Sequence, residues 1–350
     1  MKRIAALVGV ILVFGAYPVA AQTDTPTQDV QEARVRTLLD ALEKLKISGY
    51  IQAQYVDDES SRDELAGSGS RNRDQFSIRR GRLKFVYTAS PLARATVQIE
   101  ANSSGVNLKD AFIELTEPWT AWEHTLTAGQ FKWPFGFEIP YSSSSREMPE
   151  RSRVIRTLFP GERDRGVMVS GAGLDERLTY QLAVVNGSGI DQSSDPDSSK
   201  DVVGRLGWSF PAVSFGASIY RGEALLATSA NPSGEMFDKN RTGIDVQWKS
   251  PLPGLATRAE YVSGDEKGAE VGGWYVYLIQ ALGARNELVL RADDYDANTD
   301  LAGNAVFTIG GAWNLHLDKR TRVTLAYEHP KREENDTDDD VVTARLQFKF

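Results

Sequence analysis

Arginine dominates the residues that could do chemistry in this 350-residue chain. In Phe76-Ser77-Ile78-Arg79-Arg80-Gly81-Arg82-Leu83-Lys84, the period-two spacing of Arg80, Arg82 and Lys84 puts three cations on one face of an extended strand. Downstream, Arg146, Arg151, Arg153, Arg156, Arg163 and Arg165 fall within one polar connection, residues 133–165. A guanidinium fork donates to two carboxylate or phosphate oxygens at once, so a ring of them in a confined space draws in anions and disfavours cations. Glu147, Glu150, Glu162 and Asp164 lie beside these bases, and the alternative is that Arg151, Arg153 and Arg156 pair with them as a structural ion-pair network. The segment 71–166 holds fifteen basic and eleven acidic residues, a net of about +4 in a chain whose formal charge is −8.

Other constellations carry less. His124, His316 and His329 are far apart and accompany no nucleophile elbow or metal-ligand pair, so no catalytic residue, metal or cofactor is expected and the chain does not read as an enzyme. Asp293-Asp294-Tyr295-Asp296-Ala297-Asn298-Thr299-Asp300 resembles the start of a calcium loop. It lacks the glycine at the sixth position from Asp294, and Ala305 stands where a bidentate glutamate is needed, so it reads as an acidic strand end. The acidic balance argues against nucleic-acid affinity, and with no cysteine there is no disulfide or thiolate site.

The elements that must position the arginines are strands. From Ile47 onward the hydrophobic period is two, in segments of about ten residues. They are 47–56, 76–88, 93–101, 108–117, 178–186, 203–210, 213–222, 242–250, 255–263, 273–281, 287–296, 305–316, 322–329 and 341–350, with weaker ones at 123–132 and 166–173. In the last, Val342, Ala344, Leu346, Phe348 and Phe350 share one face, while Thr343, Arg345, Gln347 and Lys349 share the other. The connections alternate between tight turns and longer polar loops at 57–75, 102–107, 133–165, 187–200, 223–239, 264–272, 297–304 and 330–340. This pattern, with 41% hydrophobic and 25% charged residues and no long apolar run after the first residues, predicts an all-β, transmembrane antiparallel β-barrel of about 16 strands. A barrel of that size keeps an aqueous channel. Trp208, Phe210, Trp248, Trp274 and Trp313 fit an interfacial aromatic girdle.

Two segments precede the barrel. Lys2 and Arg3, an apolar run to Tyr17, and Val19-Ala20-Ala21 read as an export signal over residues 1–21, which places the mature protein beyond the inner membrane. In 22–46, Val35, Leu38, Leu39, Leu42 and Leu45 recur at helical spacing over 28–46, predicting a short N-terminal helix that is either a packed helix or spacer, or a short coiled coil holding a trimer. The barrel would occupy 47–350, with 133–165 as a constriction loop.

Several strings occur in order: Arg79-Arg80-Gly81-Arg82-Leu83-Lys84-Phe85, Leu108-Lys109-Asp110-Ala111-Phe112-Ile113-Glu114, Gly129-Gln130-Phe131-Lys132-Trp133-Pro134-Phe135-Gly136-Phe137-Glu138, Glu150-Arg151-Ser152 and Arg163-Asp164-Arg165-Gly166-Val167. Together they resemble the phosphate-selective porin O and P family of bacterial outer-membrane porins. The resemblance implies a sixteen-stranded homotrimer with an inward-folded third loop. It also implies an anion site built from a pair of arginines, an aspartate and a lysine, which by motif fall on Arg79, Arg80, Asp110 and Lys132. Arg79 and Arg80 have opposite strand parity, so both reach the lumen only where the strand is bulged or ends.

The expectation is a porin in the outer membrane of a Gram-negative bacterium, contacting outer-membrane lipid and lipopolysaccharide and passing small anions such as phosphate. The expected anion-binding residues are Arg79, Arg80, Arg82, Lys84, Asp110, Lys132, Arg151, Arg153 and Arg156. The alternatives are a general or cation-preferring porin, or a structural surface barrel without an open pore.

Overall fold

A computed structural model describes residues 39–40, 42–59, 74–190, 192, 194–195, 197–226, 234–266, 268–333 and 340–350. Its strands are β1 (Leu45–Asp58), β2 (Gln75–Thr88), β3 (Ala93–Asn102), β4 (Gly105–Thr116), β5 (Thr125–Lys132), β6 (Arg163–Gly173), β7 (Leu178–Val185), β8 (Asp201–Ser209) and β9 (Val213–Arg221). They continue with β10 (Glu223–Leu226), β11 (Glu235–Lys249), β12 (Leu255–Glu266), β13 (Ala269–Leu282), β14 (Asn286–Asp296), β15 (Ala305–His316), β16 (Thr321–Arg332) and β17 (Val341–Lys349). One helix, α1 (Arg153–Leu158), lies between β5 and β6. Each strand pairs antiparallel with the next, except that β9 passes over the short β10 to pair with β11, and β1 pairs with β17, from Tyr50 opposite Lys349 to Asp58 opposite Val341. The short β10 lies on the same flank of β11 as β9, interrupted only at Gly222, so the closed barrel has sixteen staves.

Closure disposes of every sheet edge, leaving no unpaired row of backbone groups facing outward. The seam is sealed at the chain end, where Phe350 N–H donates to Gly49 O at 3.0 Å and Gly49 N–H to Phe350 O at 2.9 Å. Side chains alternate as the period demands: Leu346 is 52% exposed on the outer wall while neighbouring Gln347, at 1%, is enclosed. Trp208, Phe210, Trp248 and Trp313 all project outward.

Each predicted strand is present, but three expected long connections differ. β3 and β4 join through Ser103 and Ser104 alone, and β12 and β13 run on to Glu266 and from Ala269, so 102–107 and 264–272 are tight hairpins. The 223–239 connection is largely the β10–β11 ladder. Alternation continues through these polar residues, and polar side chains do not stop a ladder that can keep pairing. At the start of the chain, residues 39, 40, 42 and 43 are helical, but Leu45 and Lys46 belong to β1, paired with Tyr87 and Val86. The rest of the predicted 28–46 helix and the export signal lie outside the described residues.

Gly49 tests the seam. A Cβ there would stand 2.4 Å from the Arg82 carbonyl oxygen and 2.5 Å from the Phe350 ring. The ring can rotate away, but the carbonyl is fixed by the sheet. Gly49→Val is expected to cost about 1–3 kcal/mol, read as a lower urea midpoint for the detergent-folded barrel by heat-modifiable gel mobility; a wild-type midpoint would contradict the seam geometry.

Candidate functional site: a loop across the lumen

Residues 133–162 leave β5 and fold into the barrel. Pro134 ends the strand by removing a ladder donor, and Gly136 turns the chain at φ +59°. Trp133, Phe135, Ile139, Met148, Val154, Ile155, Leu158 and Phe159 are all buried. They pack on inward-facing wall residues that include Val185, Val203, Tyr220, Val262, Tyr275 and Tyr277. One side of the lumen is therefore apolar, because these wall positions serve a core inside the channel. Burying each such side chain contributes about 1.5–3 kcal/mol, the largest single stabilisation available to the loop. Phe159 is central, 4.6 Å from Phe135 and 5.8 Å from Trp133 by ring centroids, with the Arg241 guanidinium 4.7 Å over its face.

Hydrogen bonds fix the loop on that wall. Gly136 N–H donates to Ser218 Oγ (3.0 Å), and the N–H groups of Phe137 and Glu138 donate to Glu260 Oε2 (3.1 and 3.2 Å). The Glu138 carboxylate in turn accepts from Tyr277 and from both the N–H and Oγ of Ser152. Two of the predicted anion-binding residues serve the loop's own backbone. Lys132 Nζ donates to the carbonyls of Ile139, Pro140 and Tyr141 (2.8, 3.3 and 3.2 Å). Arg151 donates to those of Glu138, Ile139 and Tyr141 and pairs with Glu162.

From there the loop reaches strands on the far side of the lumen. Gln52 and Gln347 donate to the carbonyls of Ser143 and Ser144 at 3.1 and 3.0 Å, Asn314 to that of Glu147 at 3.0 Å, and Arg345 to that of Pro149 at 2.7 Å. Arg258 pairs with the Glu147 carboxylate at 2.8 Å.

At this crossing sits Glu150. Its carboxylate accepts from Arg79 Nε and Nη2, both at 2.9 Å, from Arg80 Nη1 and Nη2 at 3.3 and 2.8 Å, and from Arg345 Nη2 at 3.0 Å. Arg79 and Arg80 reach it together because β2 is bulged: Gln52 pairs with Arg80 and Ala53 with Ile78, leaving Arg79 as the extra residue. A second bulge in β4 pairs Gln98 with Asp110 and Ile99 with Leu108, which brings Lys109 to the same side as Asp110. Glu100 then links Arg82 (2.6 Å) and Lys109 (3.6 Å), while Asp110 pairs with Arg163 (2.6 Å). Burial raises the Glu150 carboxyl, but Arg80, Arg79, Arg345 and Arg146 outweigh it and hold it well below the usual carboxylate range.

The nine predicted residues thus divide. Arg79 and Arg80 converge on Glu150. Arg82, Lys84, Asp110 and Lys132 line a cavity of about 300 Å³ toward the later half of β2, so Asp110 and Lys132 do not join Arg79 and Arg80 in one site. Arg153 and Arg156 sit on α1 and, with Arg79, Arg345, Glu150 and Glu328, line a cavity of about 430 Å³ at the opposite side of the loop. Neither Arg153 nor Arg156 makes a side-chain hydrogen bond or ion pair among the described residues, although Asp293 lies within electrostatic reach of both. Of the expected pairing of Arg151, Arg153 and Arg156 with loop acids, Arg151 with Glu162 forms; Arg163 and Lys132 also reach Glu162 at 3.4 and 4.0 Å, while Glu147 and Glu150 pair with wall arginines. Sequence reasoning missed Arg345 as a site residue, although it falls on the lumen row of the last strand, and missed Glu100 and Lys109, the latter signalled by its place beside Asp110 in a family string; Arg163 stood among the loop arginines but outside the expected anion-binding set.

A closed sixteen-stave barrel with a loop seated across its lumen defines a porin-type channel. The model for phosphate-selective porin O and P matches residues 46–242, more than half of the chain, and the chain belongs to that family. It is an outer-membrane porin of a Gram-negative bacterium. Among solved structures it is similar to the anion-selective porin from Comamonas acidovorans (10% identity, TM-score 0.65, covering 87% of this chain and 99% of that one). It is also similar to Salmonella typhi OmpF in complex with daunomycin (13%, 0.62, 87% and 97%) and the outer membrane channel DcaP of Acinetobacter baumannii (14%, 0.58, 87% and 97%). At these identities the likeness shows the fold. No curated protein matches the sequence.

Two measurements probe the loop seat. A Cβ on Gly136 would lie 1.7 Å from Glu260 Oε1 at a positive φ, so Gly136→Ala is expected to displace the carboxylate from Phe137 and Glu138 at a cost of about 1–3 kcal/mol. Faster proteolysis within 133–162 of the folded barrel checks this, and unchanged cleavage would contradict it. For Glu150, a depressed folded pKa means stability fully present above the unfolded value of about 4.3 and lost only as pH falls through the depressed value. The melting-temperature difference between wild type and Glu150→Gln should therefore be the same at pH 7 and pH 5; a difference that disappears over that interval would contradict the assignment.

Proposed function

We propose that this porin passes small anions by passive diffusion, phosphate or related oxyanions among them, and is a channel with no catalytic role. The observation that carries the reading is the convergence of Arg79, Arg80 and Arg345 at the loop crossing, beside a cavity lined by Arg153 and Arg156, whose side chains form no hydrogen bond or ion pair among the described residues. A permeating oxyanion entering that cavity meets guanidinium donors in a confined space, where a charge-assisted hydrogen bond is stronger than in open water and a cation is disfavoured. Arg82, Lys84 and Arg163 continue the cationic lining on the other side of the loop. Residues 1–21 would be removed on export, residues 22–44, which precede β1, would form a periplasmic segment, and the mature chain would assemble as a homotrimer with its outward apolar rows against outer-membrane lipid and lipopolysaccharide.

Planar bilayer recording tests the proposal. Chloride current through the wild-type channel should fall on addition of millimolar phosphate, and Arg80→Ala should weaken that block. The double variant Arg153→Gln and Arg156→Gln should lower anion preference without altering the seal of the barrel. Current unaffected by phosphate in wild type and variants alike would remove the oxyanion reading, and the absence of any open channel would leave a structural surface barrel.

A further inference from the structure

We infer that Glu150 is a resident carboxylate that occupies the oxyanion position at the loop crossing and competes with the permeating anion for Arg79, Arg80 and Arg345. The inference rests on the anion-porin reading and names the residue that sets its affinity. Glu150 receives five hydrogen bonds from three guanidiniums, and its two oxygens are forked by Arg79 and by Arg80 as two oxygens of a phosphate would be. Besides Glu150, the ion pairs give the trio one further carboxylate, Glu100 at 4.0 Å from Arg80 Nε, and Glu100 is shared with Arg82 and Lys109, so the trio is not neutralised.

The carboxylate is also reachable. Its side chain is 21% exposed and borders the cavity that holds Arg153 and Arg156, whereas Arg80 and Arg345 behind it are 5% and 3% exposed. Arg79, 36% exposed, lines the same cavity, so an arriving anion meets Glu150 held by Arg79 while Arg80 is enclosed. Four residues earlier, Arg146 is enclosed with none of its three side-chain nitrogens hydrogen-bonded, within electrostatic reach of Arg80 and Glu150. Burial, with Arg80 next to it, pulls Arg146 down to about 10, which still leaves it charged at neutral pH. The crossing therefore holds more donors than its one carboxylate can use, and unused buried donors are what a transient acceptor satisfies.

Competition has a use in a channel, where an ion must bind well enough to enter and loosely enough to leave. An unopposed cluster of guanidiniums would retain an oxyanion. A carboxylate tethered among them restores the pairs as the ion departs, so the exchange is of one set of charge-assisted hydrogen bonds for another.

The test is the phosphate concentration that halves chloride current through the full-length channel. Glu150→Gln keeps the side-chain shape and removes the charge; the half-blocking concentration should fall by about tenfold. Glu147→Gln removes the same charge from the same loop, at the pair with Arg258, and should shift it far less. Equal shifts in the two variants would reduce the effect to net charge, and an unchanged value in Glu150→Gln would leave Glu150 as a loop anchor only; either result overturns the inference. If Glu150→Gln does not assemble, Glu150→Asp carries the test, because its shorter carboxylate cannot fork both Arg79 and Arg80. It should give tighter block than wild type, and equal block overturns the inference. Because the readout is a difference from wild type, a cation-preferring wild-type channel removes the anion-porin reading, while an anion-selective channel with no Glu150 effect removes this inference alone.

Discussion

A barrel wall in lipid has to pair all its backbone groups internally, and side chains then have only two directions to take. Everything else in this porin depends on that constraint. It commits Val342, Leu346, Phe348 and Phe350 to the outside and Thr343, Arg345 and Gln347 to the lumen, and it makes the lumen the place where polar and charged residues gather. It also explains why bulges matter. A single extra residue in β2 gives Arg79 and Arg80 a common direction, and one in β4 does the same for Lys109 and Asp110.

The loop across the lumen supplies what the wall alone cannot. It is held by apolar packing on one side, around Phe135, Phe159 and Tyr220, and by polar contacts from Gln52, Asn314, Arg345 and Gln347 on the other. The two kinds of contact divide the labour. Packing supplies most of the stabilisation, because burial of large apolar side chains outweighs hydrogen bonds that exchange with water. The polar contacts set the position of Glu150, which must be accurate to about 0.5 Å for its carboxylate to meet guanidiniums from β2 and β17 together.

Much of this was legible in the chain. Period-two alternation located all sixteen staves, the last of them with Phe350 on its apolar face, and the opposite parity of Arg79 and Arg80 signalled that β2 had to be irregular there. The loop was visible as a long connection dense in arginine. Its partners were not. The Glu150–Arg345 pair joins residues nearly two hundred positions apart, and no local pattern encodes it. Lys132 carries a family motif but spends its charge on three loop carbonyls, a use that depends on where Ile139 to Tyr141 fold back. The apolar lumen wall was hidden for a different reason: in β13, Tyr275, Tyr277 and Ile279 face inward while Val276 and Leu278 face outward, so both faces are apolar and alternation falls silent.

For an anion porin, charge at the loop crossing must decide which ion passes, since the chain as a whole is acidic. The zero-current potential of the wild-type channel in a planar bilayer under a potassium chloride gradient is the direct test. Its sign is expected to be that of chloride crossing faster than potassium; the opposite sign would show that Glu150 and its acidic neighbours, and not the arginines, set the selectivity.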